Sequence, residues 1–253
     1  MAHPHRHALS LHSPTRLHAF PAHLKIVAAM LYVIAVVLTP REAVWALGLQ
    51  ALLLLGVVLV SRVPLRHLAP RLLVEVPFVL FAVLMPFVAT GPRVDVGPLS
   101  LSEAGLWGGW NLLVKGTLGV GASLVLAATT TPFDVVAGLA RLRLPAQLVL
   151  ILGFMVRYTE VISGQLQAMR VARESRGFSG RGLRAWPALA STAGSLFVRS
   201  YERGERVHLA MLARGFDGRT HVERTPVAGS TWAVAMLVPV GATIVLAAAR
   251  LGA

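Results

Sequence analysis

Val171-Ala172-Arg173-Glu174-Ser175-Arg176-Gly177-Phe178 and Met211-Leu212-Ala213-Arg214-Gly215-Phe216-Asp217-Gly218 are two similar stretches around which this chain is organised. Each closes a long segment of helical character within residues 145–218. Each has an Arg in the last helical turn, then a Gly that can take the left-handed conformation ending a helix, then a Phe. The pattern predicts two long helices, each of which holds an Arg out at its tip.

The composition predicts membrane embedding for the rest of the chain. Of the 253 residues, 55% are hydrophobic and only 14% are charged, and the mean hydropathy is +0.68. These values are typical of a polytopic helical membrane protein and exclude an ordinary soluble domain. The chain has no Cys, which excludes disulfides, thiolate metal sites and Cys nucleophiles.

The positive charge is concentrated in a few loops between apolar runs. The formal net charge is +13, but this clustering is typical of cytoplasmic membrane loops, so we expect no nucleic-acid partner. Arg62, Arg66 and Arg71 mark one inside loop, and the Arg-rich region 131–228 marks the other. The N-terminus then lies inside and the C-terminus outside, with about five spans.

Four regions follow from the apolar runs. The tail at 1–23 is rich in His, which favours either a disordered polar segment or weak binding of a divalent metal; it does not resemble a cleaved signal peptide. Region 24–130 holds the N-terminal spans, 131–226 a cytoplasmic insertion, and 227–253 a last span. The apolar runs are 24–39, 43–60, 72–90, 106–128 and 227–249, with a loop expected at 91–103.

The insertion begins with a short helix. Thr131 is predicted to cap it, with Pro132 at its first position and Asp134 in its first turn, and Arg141 and Arg143 finish it. The first long helix starts at Pro145 and is apolar on all sides over 148–156, so whether it crosses the membrane fully is open. The second, over 183–213, is amphipathic and too polar for a span.

Several residues inside the apolar runs are candidates for function. Lys115, near the middle of the fourth run, either is a functional ion or has a side chain that snorkels or lines a polar groove between helices. Glu75 is expected to pair with Arg71 one turn earlier. Pro77 and Pro86 are expected to kink the third run. Small residues of the fourth run predict close helix packing: Gly108, Gly109, Gly116, Gly119 and Gly121.

Motifs for catalysis or cofactor binding are missing from the sequence. It has no P-loop, no His pair spaced for zinc and no nucleophile elbow. We therefore assign no catalytic, cofactor-binding or metal-ligating residues, and transport would need energy from another subunit. Arg176 and Arg214 either dock a partner, through bidentate contacts to a carboxylate or to the carbonyl end of a helix, or merely cap their own helices.

Taken together, these segments resemble the transmembrane T component of energy-coupling factor transporters, in the cobalt-type CbiQ branch. The resemblance covers nearly the whole chain after the His-rich tail. It rests on the N-terminal 13–25, on Thr130-Thr131-Pro132-Phe133-Asp134, on 139–145, on the pair Arg157-Tyr158, and above all on the two Arg tags. The first tag departs from the family's Ala-Arg-Gly, since it reads Ser-Arg-Gly.

The resemblance implies an all-α fold with two long crossed cytoplasmic coupling helices and no enzyme activity of its own. It implies that two ATP-binding cassette ATPases each receive one tag, and that the helices pass ATP-driven motion to a separate substrate-binding membrane subunit. The ATPase-coupling residues would be Ser175, Arg176, Gly177, Ala213, Arg214 and Gly215. The expected location is the bacterial inner membrane with the tags in the cytoplasm. Cobalt is the expected cargo, with nickel or a vitamin as alternatives.

Two other classes of protein remain open at this point. A membrane enzyme acting on a phosphorylated lipid would use Lys115, Glu75 or the Arg cluster, grouped at one membrane depth. A secondary transporter would show inverted repeats with broken helices, whereas the apolar runs crowd one half of this chain.

Overall fold

The structure, a computed structural model, describes residues 20–61, 75–96, 99–178, 186–218 and 228–252. These residues form eight α-helices and one short β-hairpin, so the predicted all-α fold is confirmed. In chain order the elements are α1 Ala22–Leu38, α2 Val44–Ser61, α3 Val76–Val88, β1 Arg93–Val96, β2 Leu99–Ser102, α4 Glu103–Thr129, α5 Pro132–Arg141, α6 Ala146–Ser175, α7 Trp186–Leu212 and α8 Gly229–Leu251.

The chain divides into two compact units. The first combines residues 1–138 with 225–253, and the second is 139–224. In the first unit α4 packs against α1, α2 and α3, and α8 packs against α1 and α2. In the second unit α6 and α7 contact each other. Helices from the two ends of the sequence thus close one bundle, and the Arg-rich region forms a unit of its own.

A small core holds the first unit together. Its buried residues come from α1, α4 and α8: Tyr32, Ala35, Val36, Leu118, Ala122 and Ala242. Many large apolar side chains point outward instead, such as Leu52 at 62% and Val88 at 78% exposure. Such a surface suits lipid rather than water.

Four of the described helices are long and apolar enough to cross a membrane: α2, α4, α6 and α8. The helices α1 and α3 are apolar but shorter. The sequence predicted about five spans, counting the apolar runs of α1 and α3 and leaving α6 open. The structure adds α6 to the candidates by length and hydropathy.

Glycines let α4 approach the backbone of α3. A Cβ added to Gly109 would lie 2.6 Å from the carbonyl oxygen of Ala82, and one added to Gly105 would lie 2.6 Å from that of Met85. The predicted close packing is therefore confirmed at Gly109. A Cβ at Gly119 would meet nothing within 4 Å, so that glycine plays no such part.

Cations from neighbouring helices bind the carbonyl ends of α1 and α4. Lys115 donates from Nζ to the oxygens of Val37 at 2.8 Å and Thr39 at 2.7 Å. Arg250 donates to Leu38 O at 3.0 Å. These donors satisfy carbonyls that have no partner in their own helix and lie at the negative end of its dipole. Lys115 thus lines a polar junction between helices, one of its two expected roles.

A matching contact lies at the end of α4. Lys25 of α1 donates to Thr129 O at 2.9 Å. Since Lys115 of α4 binds the end of α1, each of the two helices places a cation at the carbonyl end of the other.

The predicted start of α5 is confirmed. The helix begins at Pro132, and Thr131 Oγ1 accepts from the Asp134 backbone N–H at 3.2 Å. The same hydroxyl donates to Asp134 Oδ2 at 2.6 Å. Thr131 is therefore the N-cap, with the acidic residue in the first turn where the helix dipole favours it.

Two local predictions are wrong. The expected loop at 91–103 contains an antiparallel hairpin that pairs Arg93 with Ser102. Its two strands are only four residues each, and their Gly- and Pro-rich surroundings predicted a loop.

The second wrong prediction concerns Pro77, which lies in the first turn of α3 rather than in its interior. The missing N–H of a proline removes no helical hydrogen bond at that position. Pro77 therefore starts the helix and does not kink it; Pro86 is inside α3.

Candidate functional site

The first tag closes α6 in a Schellman motif. The Gly177 N–H bonds to Glu174 O at 3.0 Å, and the Phe178 N–H reaches back to Arg173 O at 3.2 Å. Gly177 has a φ of +77°, the left-handed conformation that this motif requires. Arg176 therefore occupies the last position before the chain turns away from the helix axis.

The second tag closes α7 in the same way. The Gly215 N–H bonds to Leu212 O at 3.0 Å, and the Phe216 N–H bonds to Met211 O at 3.0 Å. Gly215 has a φ of +80°. Arg214 thus stands at the same position of the same backbone motif as Arg176, although 38 residues separate them (214 − 176).

Backbone conformation alone requires the two glycines. A Cβ added to Gly177 or to Gly215 would meet nothing within 4 Å. Close packing therefore does not explain them, and the positive φ does. The space beside each tag is open within the described structure, which leaves it accessible to a partner.

The two tag arginines are exposed and unpaired within the described parts of the chain. Their side chains enter none of the ion pairs found there, whereas Arg170 pairs with Glu174 at 2.8 Å. Neither guanidinium contacts a carbonyl of its own helix, so side-chain capping does not account for them. Each Arg keeps its five N–H donors available.

The residues before each Arg differ in chemistry. Ser175 donates its hydroxyl to Ala172 O at 3.1 Å, a bond inside the helix that leaves the outer surface as small as with Ala213. Glu174 lies two residues before Arg176 and holds an ion pair, whereas Leu212 lies at the matching position of the second tag and is 50% exposed. The serine keeps the motif intact, and the two tags present different flanks.

The charged residues of the apolar runs do not gather into a reaction centre. The Lys115 ammonium is bound to two carbonyl oxygens. Glu75 is 8% exposed, and its Oε1 has no hydrogen-bond partner; its expected partner, Arg71, lies outside the described residues. No group of three or more His, Asp or Glu able to hold a metal occurs among the residues described.

Sequence reasoning missed three structural features of these elements. The bonds of Lys25 and Arg250 to distant carbonyls join residues 104 and 212 positions apart, and no local pattern reveals them. Arg143 has a φ of +63°, at a place where the sequence signals only the end of a helix. A Gly there would have indicated a left-handed residue, which an Arg does not.

The tags and most of the bundle lie within a region that matches a known family. The family described as "Cobalt transport protein" (CbiQ) matches residues 14–224. The chain belongs to this family. The match takes in both tags and every described helix except α8. The predicted resemblance is confirmed.

Several curated relatives are named as transporter components. The energy-coupling factor transporter transmembrane protein EcfT of Bacillus subtilis is 27% identical over 216 residues, which are 80% of this chain and 81% of that protein. The cobalt transport protein CbiQ of Rhodobacter capsulatus is 27% identical over 192 residues, 74% of this chain and 75% of that protein. The chain is thus similar to transmembrane components of transporters, and both names agree with its candidate spans.

Proposed function

We propose that this member of the cobalt transport protein family is the coupling subunit of an ATP-driven importer. It lies in the bacterial inner membrane, and its two tags face the cytoplasm. Two ATP-binding cassette ATPases each bind one tag, and α6 and α7 carry their motion to a separate membrane subunit that holds the substrate. The chain performs no catalysis and holds no cofactor or metal.

The observation that carries this proposal is the repeated geometry of the tags. Two helices end in one backbone motif, and each presents an exposed Arg without a partner among the described residues. A pair of equal docking points suits a pair of similar partners. A guanidinium presented in this way can form two parallel hydrogen bonds with a carboxylate or donate to the carbonyl end of a partner helix.

Cobalt ions are the proposed cargo, on the strength of the family's description and the name of the Rhodobacter capsulatus relative. The cargo is bound by the partner subunit, so this chain needs no ligands for it. Uptake of cobalt, nickel and vitamins by cells that express the complete transporter separates the three candidate cargoes.

Co-purification in detergent tests the coupling role. The wild type, Arg176→Ala, Arg214→Ala and the double variant are each isolated with the candidate ATPases. Removing one partner of a buried charged contact costs on the order of 2–5 kcal/mol, so each single variant should lose much of the ATPase and the double variant all of it. Arg199→Ala, at an exposed position of α7, is the matched control and should bind as the wild type does.

The proposal fails if the wild type retains no ATPase, or if the double variant retains as much as Arg199→Ala. Either result would show that the tags only end their helices and do not bind an ATPase.

A further inference from the structure

The end of α5 carries a strained arginine. Arg143 has a φ of +63°, the only positive φ of a non-glycine residue among those described. The Arg143 N–H bonds to Ala140 O at 3.2 Å and the Leu144 N–H bonds to Leu139 O at 3.3 Å. These two bonds form a Schellman motif in which Arg143 takes the left-handed position.

Gly177 and Gly215 occupy this same position at the ends of α6 and α7. The chain therefore uses Gly twice where the backbone requires a positive φ, and Arg once. A Cβ in that conformation crowds the following carbonyl oxygen, so Arg143 is less favourable for the fold than Gly would be. Strain of this kind points to a use for the side chain.

The described residues give the Arg143 side chain no partner. Arg143 is exposed, and its side chain enters no ion pair or hydrogen bond with the described residues. Within the described residues the side chain therefore stabilises nothing, and its guanidinium is available there for an external anion.

The position of Arg143 in the sequence favours a membrane surface. Residue 143 lies between the end of α4 at Thr129 and the start of α6 at Ala146, and both helices are candidate spans. The first turns of α6 expose Leu148, Ile151 and Met155 at 49%, 53% and 61%. A cation at the end of such an apolar segment lies at the depth of the phosphate groups of lipids.

We propose that Arg143 binds the phosphate of an anionic phospholipid headgroup and so fixes the turn between α5 and α6 at the membrane surface. The guanidinium forms a bidentate contact with the phosphate oxygens. This inference does not rest on the proposed coupling function, and its test uses no ATPase for the primary readout.

Thermal unfolding of the full-length protein in a neutral detergent provides the test. Phosphatidylglycerol, phosphatidylcholine or inorganic phosphate is added to the wild type, Arg143→Gly, Arg143→Asn and Arg199→Gln. Phosphatidylglycerol should raise the apparent Tm of the wild type, whereas the other two additives should not. Arg143→Gly should be more stable than the wild type before any lipid is added and should lose most of the rise with phosphatidylglycerol.

The other variants are controls. Arg143→Asn tolerates a positive φ and should also lose the lipid response. Arg199→Gln removes the same charge from an exposed helical position and should keep that response in full.

Three results would overturn the proposal. Arg143→Gly could respond to phosphatidylglycerol as the wild type does, or could be less stable than the wild type without lipid. Inorganic phosphate could raise the Tm of the wild type as much as the lipid, which would indicate a site for small anions. If the first result comes with the loss of a co-purified ATPase, Arg143 belongs to a protein interface.

Discussion

At the scale of single residues, the tag glycines are explained by their backbone conformation and not by close packing. Gly177 has a φ of +77°, and a Cβ there would touch nothing. Gly177→Ala should therefore cost only the left-handed penalty, roughly 1–2 kcal/mol, without any steric clash. The penalty disfavours the backbone that positions Arg176, so ATPase retention in co-purification should fall by about tenfold.

Gly177→Asn is the matched control, because Asn adopts a positive φ more readily than Ala. It should retain more ATPase than Gly177→Ala does. Equal losses in the two variants would show that a partner packs against the glycine itself, and that backbone conformation is not its main role.

The tags could be predicted from sequence because a Schellman motif is local. Its hydrogen bonds join residues three and five apart, such as Gly177 to Glu174 and Phe178 to Arg173. The partners of Lys115 could not be predicted, since Val37 and Thr39 are 78 and 76 residues away. For this reason the sequence left open whether Lys115 is a functional ion, and only the packed structure places its ammonium at a polar junction between helices.

At the scale of elements, the contact between α3 and α4 depends on particular glycines. Gly109→Ala would place a Cβ 2.6 Å from Ala82 O, so the helices must separate, at a cost of about 1–3 kcal/mol. Gly119→Ala meets open space and should gain up to about 1 kcal/mol of helix propensity. Thermal unfolding in detergent should show a lower Tm for the first variant and an unchanged or higher one for the second.

If the two variants unfold at the same temperature, close contact between α3 and α4 does not contribute to stability. If Gly119→Ala is the less stable of the two, Gly119 faces a partner helix after all.

The helix positions could be predicted from hydropathy and helix-end signals, but the role of each glycine could not. The sequence grouped Gly109 with Gly119 because both lie in one apolar run. It missed Gly105, which lies one turn before Gly109 and has the same close approach to α3. Spacing alone does not say which face of α4 meets another helix, so only the packed structure distinguishes these residues.

At the scale of the whole molecule, the chain leaves its first unit close to a point fixed to α1. Lys25 binds Thr129 O at 2.9 Å. A Cβ added to Gly138 would lie 2.9 Å from the backbone N of His23. Residue 138 is the last of the first unit before the chain enters the second. These two contacts hold α5 against the N-terminal end of α1 within the first unit.

The proposed coupling function requires such a fixed point, since helices that move freely against the bundle would transmit no force. Lys25→Met should remove the hydrogen bond to Thr129 O and keep most of the apolar stem. Gly138→Ala should push α5 away from the backbone of α1. In the complete transporter both variants should still bind the ATPases through their intact tags, while uptake of the cargo falls several-fold at an unchanged rate of ATP hydrolysis.

The comparison with Arg176→Ala makes this prediction specific, because that variant should lose the ATPase before any motion is passed on. Lys25→Arg, which keeps a donor near Thr129, should recover part of the uptake lost in Lys25→Met. If Lys25→Met and Gly138→Ala transport as the wild type does, the start of α5 needs no attachment to α1, and the motion enters the bundle elsewhere. If they lose the ATPase instead, these contacts determine the fold of the second unit rather than the transfer of force.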